Sequence, residues 1–259
     1  MAVVIRKVWQ SNLEAEFGLI KQCSKNLRLA SMDTEFPGTV FSLDIPKHRF
    51  STLSPAQQYA LMKKNVDALN IIQLGLTLSD ASSRCCVWEF NFRDFDSDYD
   101  DYNPDSVAFL RSKGINFDLN KRRGINSRSF AAHFLESGLG SGRAWVTFHG
   151  LYDFGFLIKI LTRAALPDHL HDFMMLLRRY LGVQVYDVKP IARSMALHGG
   201  LDAIAKTLFV ERAVGKSHQA GSDSLLTMQL FLRFLITRGC CYAPAILALF
   251  NCRLYGLTC

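Results

Sequence analysis

The chain has 259 residues, 49% of them hydrophobic, which is enough to bury a full core, and no Pro/Gly/Ser-rich linker divides it, so a single domain over residues 1–259 is expected. Its seven cysteines, an odd number with two adjacent pairs and no C-x-x-C unit, exclude a zinc-ribbon arrangement and fit a reducing cell interior better than a disulfide framework. The net charge of +7 is uneven: residues 1–110 carry 11 Lys/Arg against 14 Asp/Glu, while residues 111–259 carry 19 against 9, which favours an anionic partner, although a basic balance also simply keeps proteins soluble.

The opening MAVVIRKVWQ has too few apolar residues before Arg6 and Lys7 for a signal peptide. Ser11 and Glu14 have capping-box spacing, and Leu13, Phe17 and Ile20 predict a first helix to about Asn26. A strand follows, with Leu27, Leu29, Ser31, Asp33 and Glu35 on one face, ended by Pro37-Gly38. Ser54, Pro55 and Gln57 open a helix that reaches about Leu69. Ile71–Leu78 and Cys86–Phe92 read as two strands joined by SDASSR and paired antiparallel. The acidic run Asp94, Asp96, Asp98, Asp100, Asp101 and Asp105 lacks the central Gly and closing Glu of a calcium loop and reads as a solvated loop.

Beyond it, Asn103-Pro104 opens a short helix containing Phe109 and Leu110, Lys121–Gly124 reads as an exposed basic turn, and NSRSFAAHFLESG is a helix with a terminal Gly. Trp145–Phe148 is a short strand left through His149-Gly150, and Asp153 heads the helical pattern of Phe156, Leu157, Ile160 and Leu161. A helix over about Asp168–Tyr180 leads to the strand-like VQVYDV. Leu201–Leu208 and most of the run after His218 are helical. The apolar stretch Leu225–Phe250 contains Arg233 and Arg238 and reads as two packed core helices, not a membrane span. Helices around a mixed sheet predict the α/β class, without internal repeats.

Asp33 and Glu35 stand two apart on a strand, so both carboxylates project from one face near its C-terminal end. Like charges beside Met32 and Phe36 repel and lose hydration, and bound cations are the usual remedy. Taken alone, the pair also fits a turn-forming Asp and an exposed Glu. Asp153 also fits an ordinary acidic residue of a first helical turn, and HQAGSD also fits a helix cap with a surface histidine.

The strings MDTEFPG (Met32 to Gly38), IIQLGLT (Ile71 to Thr77), YDFGFLIKIL (Tyr152 to Leu161), YDVK (Tyr186 to Lys189), HQAGSDSLLT (His218 to Thr227) and LYGL (Leu254 to Leu257) span nearly the whole chain. In that order they resemble the deadenylase subunit of the Ccr-Not complex, the Caf/Pop family. The resemblance implies a ribonuclease-H-like fold of the DEDD exonuclease class, a complete catalytic core, and activity as a Mg2+- or Mn2+-dependent 3′–5′ exoribonuclease that shortens mRNA poly(A) tails and releases AMP. Carried over residue by residue, it implies Asp33, Glu35, Asp153 and Asp223 as ligands of two divalent cations and His218 as the general base. It also implies single-stranded poly(A) as substrate, a large helical Not-type scaffold and a second, Ccr-type deadenylase as partners, no membrane, and a cytoplasmic location that includes processing bodies and extends to the nucleus. One departure falls beside the site: Gly150 stands where the family commonly has a serine after Phe-His.

Two other readings remain open at this stage. One is a 3′ exonuclease of the same chemical class with another nucleic acid as substrate, and the other is a non-catalytic adaptor, which the full ligand set disfavours. Lys121, Arg122 and Arg123 form the clearest basic patch. Phe36 fits either a core residue or a wedge against the terminal nucleotide.

Overall fold

Six strands form one mixed sheet in the order β1-β4-β3-β2-β5-β6. A computed structural model describes residues 3–43, 53–80, 84–140, 142–237 and 243–257. The strands are β1 (Ile5–Val8), β2 (Leu29–Glu35), β3 (Gln73–Ser79), β4 (Cys85–Asn91), β5 (Ala144–Thr147) and β6 (Val185–Asp187). β3 pairs antiparallel with both β2 and β4, whereas β1 runs parallel to β4, and β5 and β6 extend the other side as parallel strands. β3 is buried along its whole length, as expected of a central strand covered on both faces.

The predicted elements meet the structure closely where the local chemistry is strong. α2 (Pro55–Ala68) starts in a capping box between Ser54 and Gln57, with Pro55 at its first position. α3 (Pro104–Ser112) and α5 (Ser127–Glu136) are each capped by an asparagine, Asn103 and Asn126. The C-terminal stretch forms two helices, α10 (Ala220–Thr237) and α11 (Ala243–Phe250), and no helix among the described residues is long and apolar enough to cross a membrane. The remaining helices α6 (Leu151–Thr162), α7 (Leu170–Leu181), α8 (Val188–Ser194) and α9 (Leu201–Thr207) lie in between.

Three local expectations are corrected. The strand β1 has no counterpart among the expected elements, because four residues at a sheet edge carry no alternating signal. The first helix, α1 (Leu13–Cys23), is organised by Asn12 and not by Ser11: Asn12 Oδ1 accepts from Trp9 N at 2.7 Å and Nδ2 donates to Lys7 O at 3.1 Å, within a 3-10 turn over Gln10–Asn12. Lys121–Arg123 is the last turn of α4 (Phe117–Arg123), where cations oppose the negative end of the helix dipole, and Lys121 Nζ pairs with Asp96 at 2.7 Å and Asp98 at 3.2 Å. The acidic loop and the basic helix end thus neutralise one another in part. Cys23, Cys85, Cys86 and Cys252 form no disulfide, and Cys240, Cys241 and Cys259 lie outside the described residues.

Two helices are seated with particular precision. α6 is apolar on nearly every side and packs between α2, α5 and α7, so its first turn is rigidly placed. α10 crosses β2, β3 and β4. Its start comes this close because Gly75, which pairs with Asp33 across the β2–β3 ladder, has no side chain: a Cβ there would lie 1.8 Å from the Ala220 carbonyl oxygen. Gly75→Ala should therefore destabilise the protein by about 3 kcal/mol or prevent folding. Denaturant midpoints within experimental error of the wild type would show that α10 shifts freely.

Candidate active site

β5 pairs with β2 only as far as Ser31, so beyond that residue the two parallel strands part and open a crevice at their carboxyl ends. Asp33 and Glu35 project into it from the same face of β2, and Asp153, in the first turn of α6, fills the gap beside the free strand edge. Asp153 Oδ1 accepts from Thr34 N at 2.8 Å and from Thr34 Oγ1 at 2.5 Å. Asp223 and His218 reach the crevice from the start of α10 and the turn before it. All five sequence-predicted residues line one cleft of about 490 Å³. Within it, donor atoms of Glu35, His218 and Asp223 lie within 4.8 Å of one another.

His218 is not helical. It adopts φ 61°, the left-handed region that costs a non-glycine residue about 1–2 kcal/mol, and its N–H donates to Asp223 Oδ2 at 2.8 Å. Its exposed ring meets the edge of Phe109, centroid to centroid 4.7 Å. The other carboxylate oxygen, Asp223 Oδ1, lies 2.6 Å from Arg212 Nη2. Arg212 is fixed from the far side by Asp202 Oδ1 at 2.7 Å and Ser222 Oγ at 2.7 Å, and Ser217 Oγ donates to Asp202 at 2.6 Å.

A second left-handed histidine, His149 at φ 61°, donates its N–H to Asp187 Oδ1 at 2.7 Å. Gly150, Lys189 and Tyr255 also donate backbone N–H groups to the fully buried Asp187, at 3.1, 3.0 and 2.9 Å. The glycine at 150 has a local cause: a Cβ there would lie 1.9 Å from Thr147 Oγ1, so a hydroxyl from residue 147 occupies the space beside the backbone. Phe36 packs against the core, as one reading expected, and also lines the cleft, stacking on Tyr152 with centroids 5.1 Å apart.

Electrostatics set the chemistry. Burial, then repulsion from Asp153, Asp223 and Glu35, holds Asp33 well above the carboxylate range, with Arg212 acting in the opposite sense. Burial, then Asp223 and Asp153, pushes Glu35 up to about 8. Burial pushes Asp153 up to about 7 despite the two Thr34 hydrogen bonds, and Asp223 is raised by burial against Arg212 and the His218 N–H. Oxygen donors crowded until they repel are the donor set that hard divalent cations satisfy.

Sequence patterns alone do not single out Thr34, Arg212, Asp187 or Lys189. Arg212 and Asp187 act over sequence separations that no local pattern carries. Thr34 carries a faint signal as the residue between the two acids.

A mixed sheet with helices on its faces and an acidic cleft where two parallel strands part defines a metal-dependent nuclease of the ribonuclease-H-like, DEDD exonuclease class. Residues 8–136 match the model of the CAF1 family ribonucleases. A probable CCR4-associated factor 1 homolog 7 of Arabidopsis thaliana is 43% identical over 89% of this chain and 86% of its own length, and the poly(A) ribonuclease pop2 of Schizosaccharomyces pombe is 40% identical over 88% and 68%. Among solved structures, S. pombe Pop2p in its Mg2+ and Mn2+ bound form superposes with a TM-score of 0.88 at 37% identity, covering 98% of this chain and 99% of that one. Yeast CAF1 co-crystallized with the NOT1 MIF4G domain superposes with a TM-score of 0.73 at 31% identity, covering 91% and 89%. The chain belongs to the CAF1 family of ribonucleases.

The raised carboxyl groups make a prediction for the metal-free protein. An acid whose folded pKa exceeds its unfolded value keeps its proton in the folded state, so stability falls as pH rises from the ordinary carboxylate range through about 7 and 8. With chelator present, the melting temperature should drop between about pH 5.5 and 8.5, less so in Glu35→Gln, and Mn2+ should restore most of it at the higher pH. Identical slopes for wild type and Glu35→Gln would contradict the assignment of the repulsion.

Proposed function

We propose that this protein is a Mg2+- or Mn2+-dependent 3′–5′ exoribonuclease that removes poly(A) tails from mRNA, with Asp33, Glu35, Asp153 and Asp223 as metal ligands and His218 as general base. The observation that carries the reading is the convergence of these five side chains on one cleft. The residues fit divalent cations because four repelling carboxylates need neutralising charge, and two bound cations would supply an activated water and stabilise the departing 3′ oxygen. Asp33 and Glu35 on β2 would hold cations together with Asp223, and Asp153, oriented by Thr34, would hold the second. His218, exposed to the cleft, accepts the proton of the attacking water and passes it to solvent. Phe36 and Phe148 in the cleft wall offer ring surface to unstacked bases.

The proposal extends to the surroundings. A Not-type scaffold is the partner suggested by the likeness to CAF1 co-crystallized with NOT1, and a Ccr-type nuclease is proposed as second partner. The setting proposed is a single catalytic domain acting in the cytoplasm, in processing bodies and in the nucleus, away from membranes.

Asp33→Asn should abolish turnover at saturating Mg2+ while leaving circular dichroism unchanged; full activity in soluble protein would remove Asp33 from the metal site. His218→Ala should lower single-turnover hydrolysis of oligoadenylate by about 10²- to 10⁴-fold and leave Mn2+ titration nearly unchanged. A normal rate would assign the histidine a purely structural part. An RNA with a 3′ adenosine tail behind a mixed-sequence body should release AMP progressively and slow at the body. Equal rates on poly(U) or single-stranded DNA would instead favour a general 3′ exonuclease.

A further inference from the structure

The cleft wall also carries a cation without an ion-pair partner among the described residues. Lys189 lines the cleft from the first turn of α8, and among the described residues it has no ion pair. The nearby carboxylate of Asp187 acts on Lys189 only through its field, with no salt bridge between them, because its oxygens accept from four backbone N–H donors. The ammonium is nevertheless tightly oriented: Nζ sits 4.7 Å from the Tyr255 ring centroid, 5.7 Å from that of Phe148, and 3.3 Å from His149 Nδ1. Arg193, one helical turn further along α8, lies over the same Tyr255 ring at 5.1 Å.

The imidazole of His149 completes the arrangement. Its ring is open to the cleft, yet the surrounding protein and the Lys189 charge push it down to about 4, so it is neutral at physiological pH. Lys189 is a donor only, so the contact makes Nδ1 the acceptor and leaves the proton on Nε2. Tyr255, edge-on to the imidazole at 4.7 Å, fixes the ring plane. An ammonium and a neutral N–H donor on one wall, backed by aromatic faces, form a receptor for a single phosphodiester.

We propose that Lys189 and His149 hold a phosphodiester of the RNA 5′ to the scissile bond, with the Tyr255 ring keeping the ammonium in place. This rests on reading the cleft as an exonuclease site: the scissile phosphate belongs to the carboxylates and their cations, and the next charge along the strand meets Lys189 and His149. The contact fixes which phosphodiester lies over Asp33, so it governs register and grip and not the bond-breaking step.

The experiment is a scan in which each phosphodiester of a short oligoadenylate is replaced in turn by an uncharged methylphosphonate. Binding is measured in an Asp33→Asn background, where the oligonucleotide survives. One upstream position should cost the Lys189-containing protein about tenfold in affinity, and the same position should cost Lys189→Met almost nothing, while Lys189→Arg keeps the penalty. With otherwise wild-type catalytic residues, Lys189→Met should raise KM about tenfold with kcat nearly unchanged, and lower the slope of log affinity against log salt by about 0.7. An equal methylphosphonate penalty in both proteins at every position overturns the proposal. A flat scan in the Lys189-containing protein overturns it even if Lys189→Met fails to fold. Failure of the wild type to degrade any RNA would instead overturn the nuclease reading.

Discussion

Mutual repulsion among buried carboxylates is the constraint around which the protein is built. Asp33, Glu35, Asp153 and Asp223 face one cleft, and each is raised from its ordinary value, chiefly by loss of hydration. Several features hold the cluster together against that cost. Thr34 gives Asp153 two hydrogen bonds, and Arg212 supplies one fixed positive charge at Asp223. Fixing the guanidinium through Asp202 and Ser222 keeps it from following the RNA, so it stays with the protein as a permanent counter-charge.

The acids come from segments far apart in sequence, so their spacing depends on how α6 and α10 seat on the sheet. α6 is anchored at its last turn by Lys159, whose Nζ donates to the carbonyls of Val66, Asp67 and Leu69 at 2.9, 3.1 and 2.8 Å. Those carbonyls belong to the end of α2, where a cation also meets the negative end of the helix dipole. α10 is seated by the absence of a side chain at Gly75. The catalytic cleft therefore rests on one half-buried ammonium and one missing methyl group, both outside it.

Much of this is legible in the sequence, for identifiable reasons. Period-two alternation places Asp33 and Glu35 on one face of a strand, and the Ser54-Pro55-Gln57 cap and the Asn103-Pro104 start carry their own backbone chemistry. The run Lys121–Arg123 misleads because three cations before a glycine resemble a turn, whereas Asn116 caps a helix that ends there. β1 is invisible because only its parallel partner β4 makes it a strand. Local motifs mark the five acidic and imidazole groups, but not the residues that restrain them. Arg212 and Asp202 meet Asp223 only after the chain has folded back, and no spacing rule encodes that meeting.

The two left-handed histidines share a design whose consequence is thermodynamic coupling. In each, an unfavourable backbone conformation is held by an aspartate that accepts the histidine's own N–H: Asp187 for His149 and Asp223 for His218. For His218 the restraining carboxylate is itself one of the clustered acids. Removing Asp223 thus deletes an acidic oxygen and at the same time releases the turn that presents the imidazole. Losses at positions 218 and 223 overlap, and a double substitution costs less than the two single ones combined, so the pair behaves as one energetic unit.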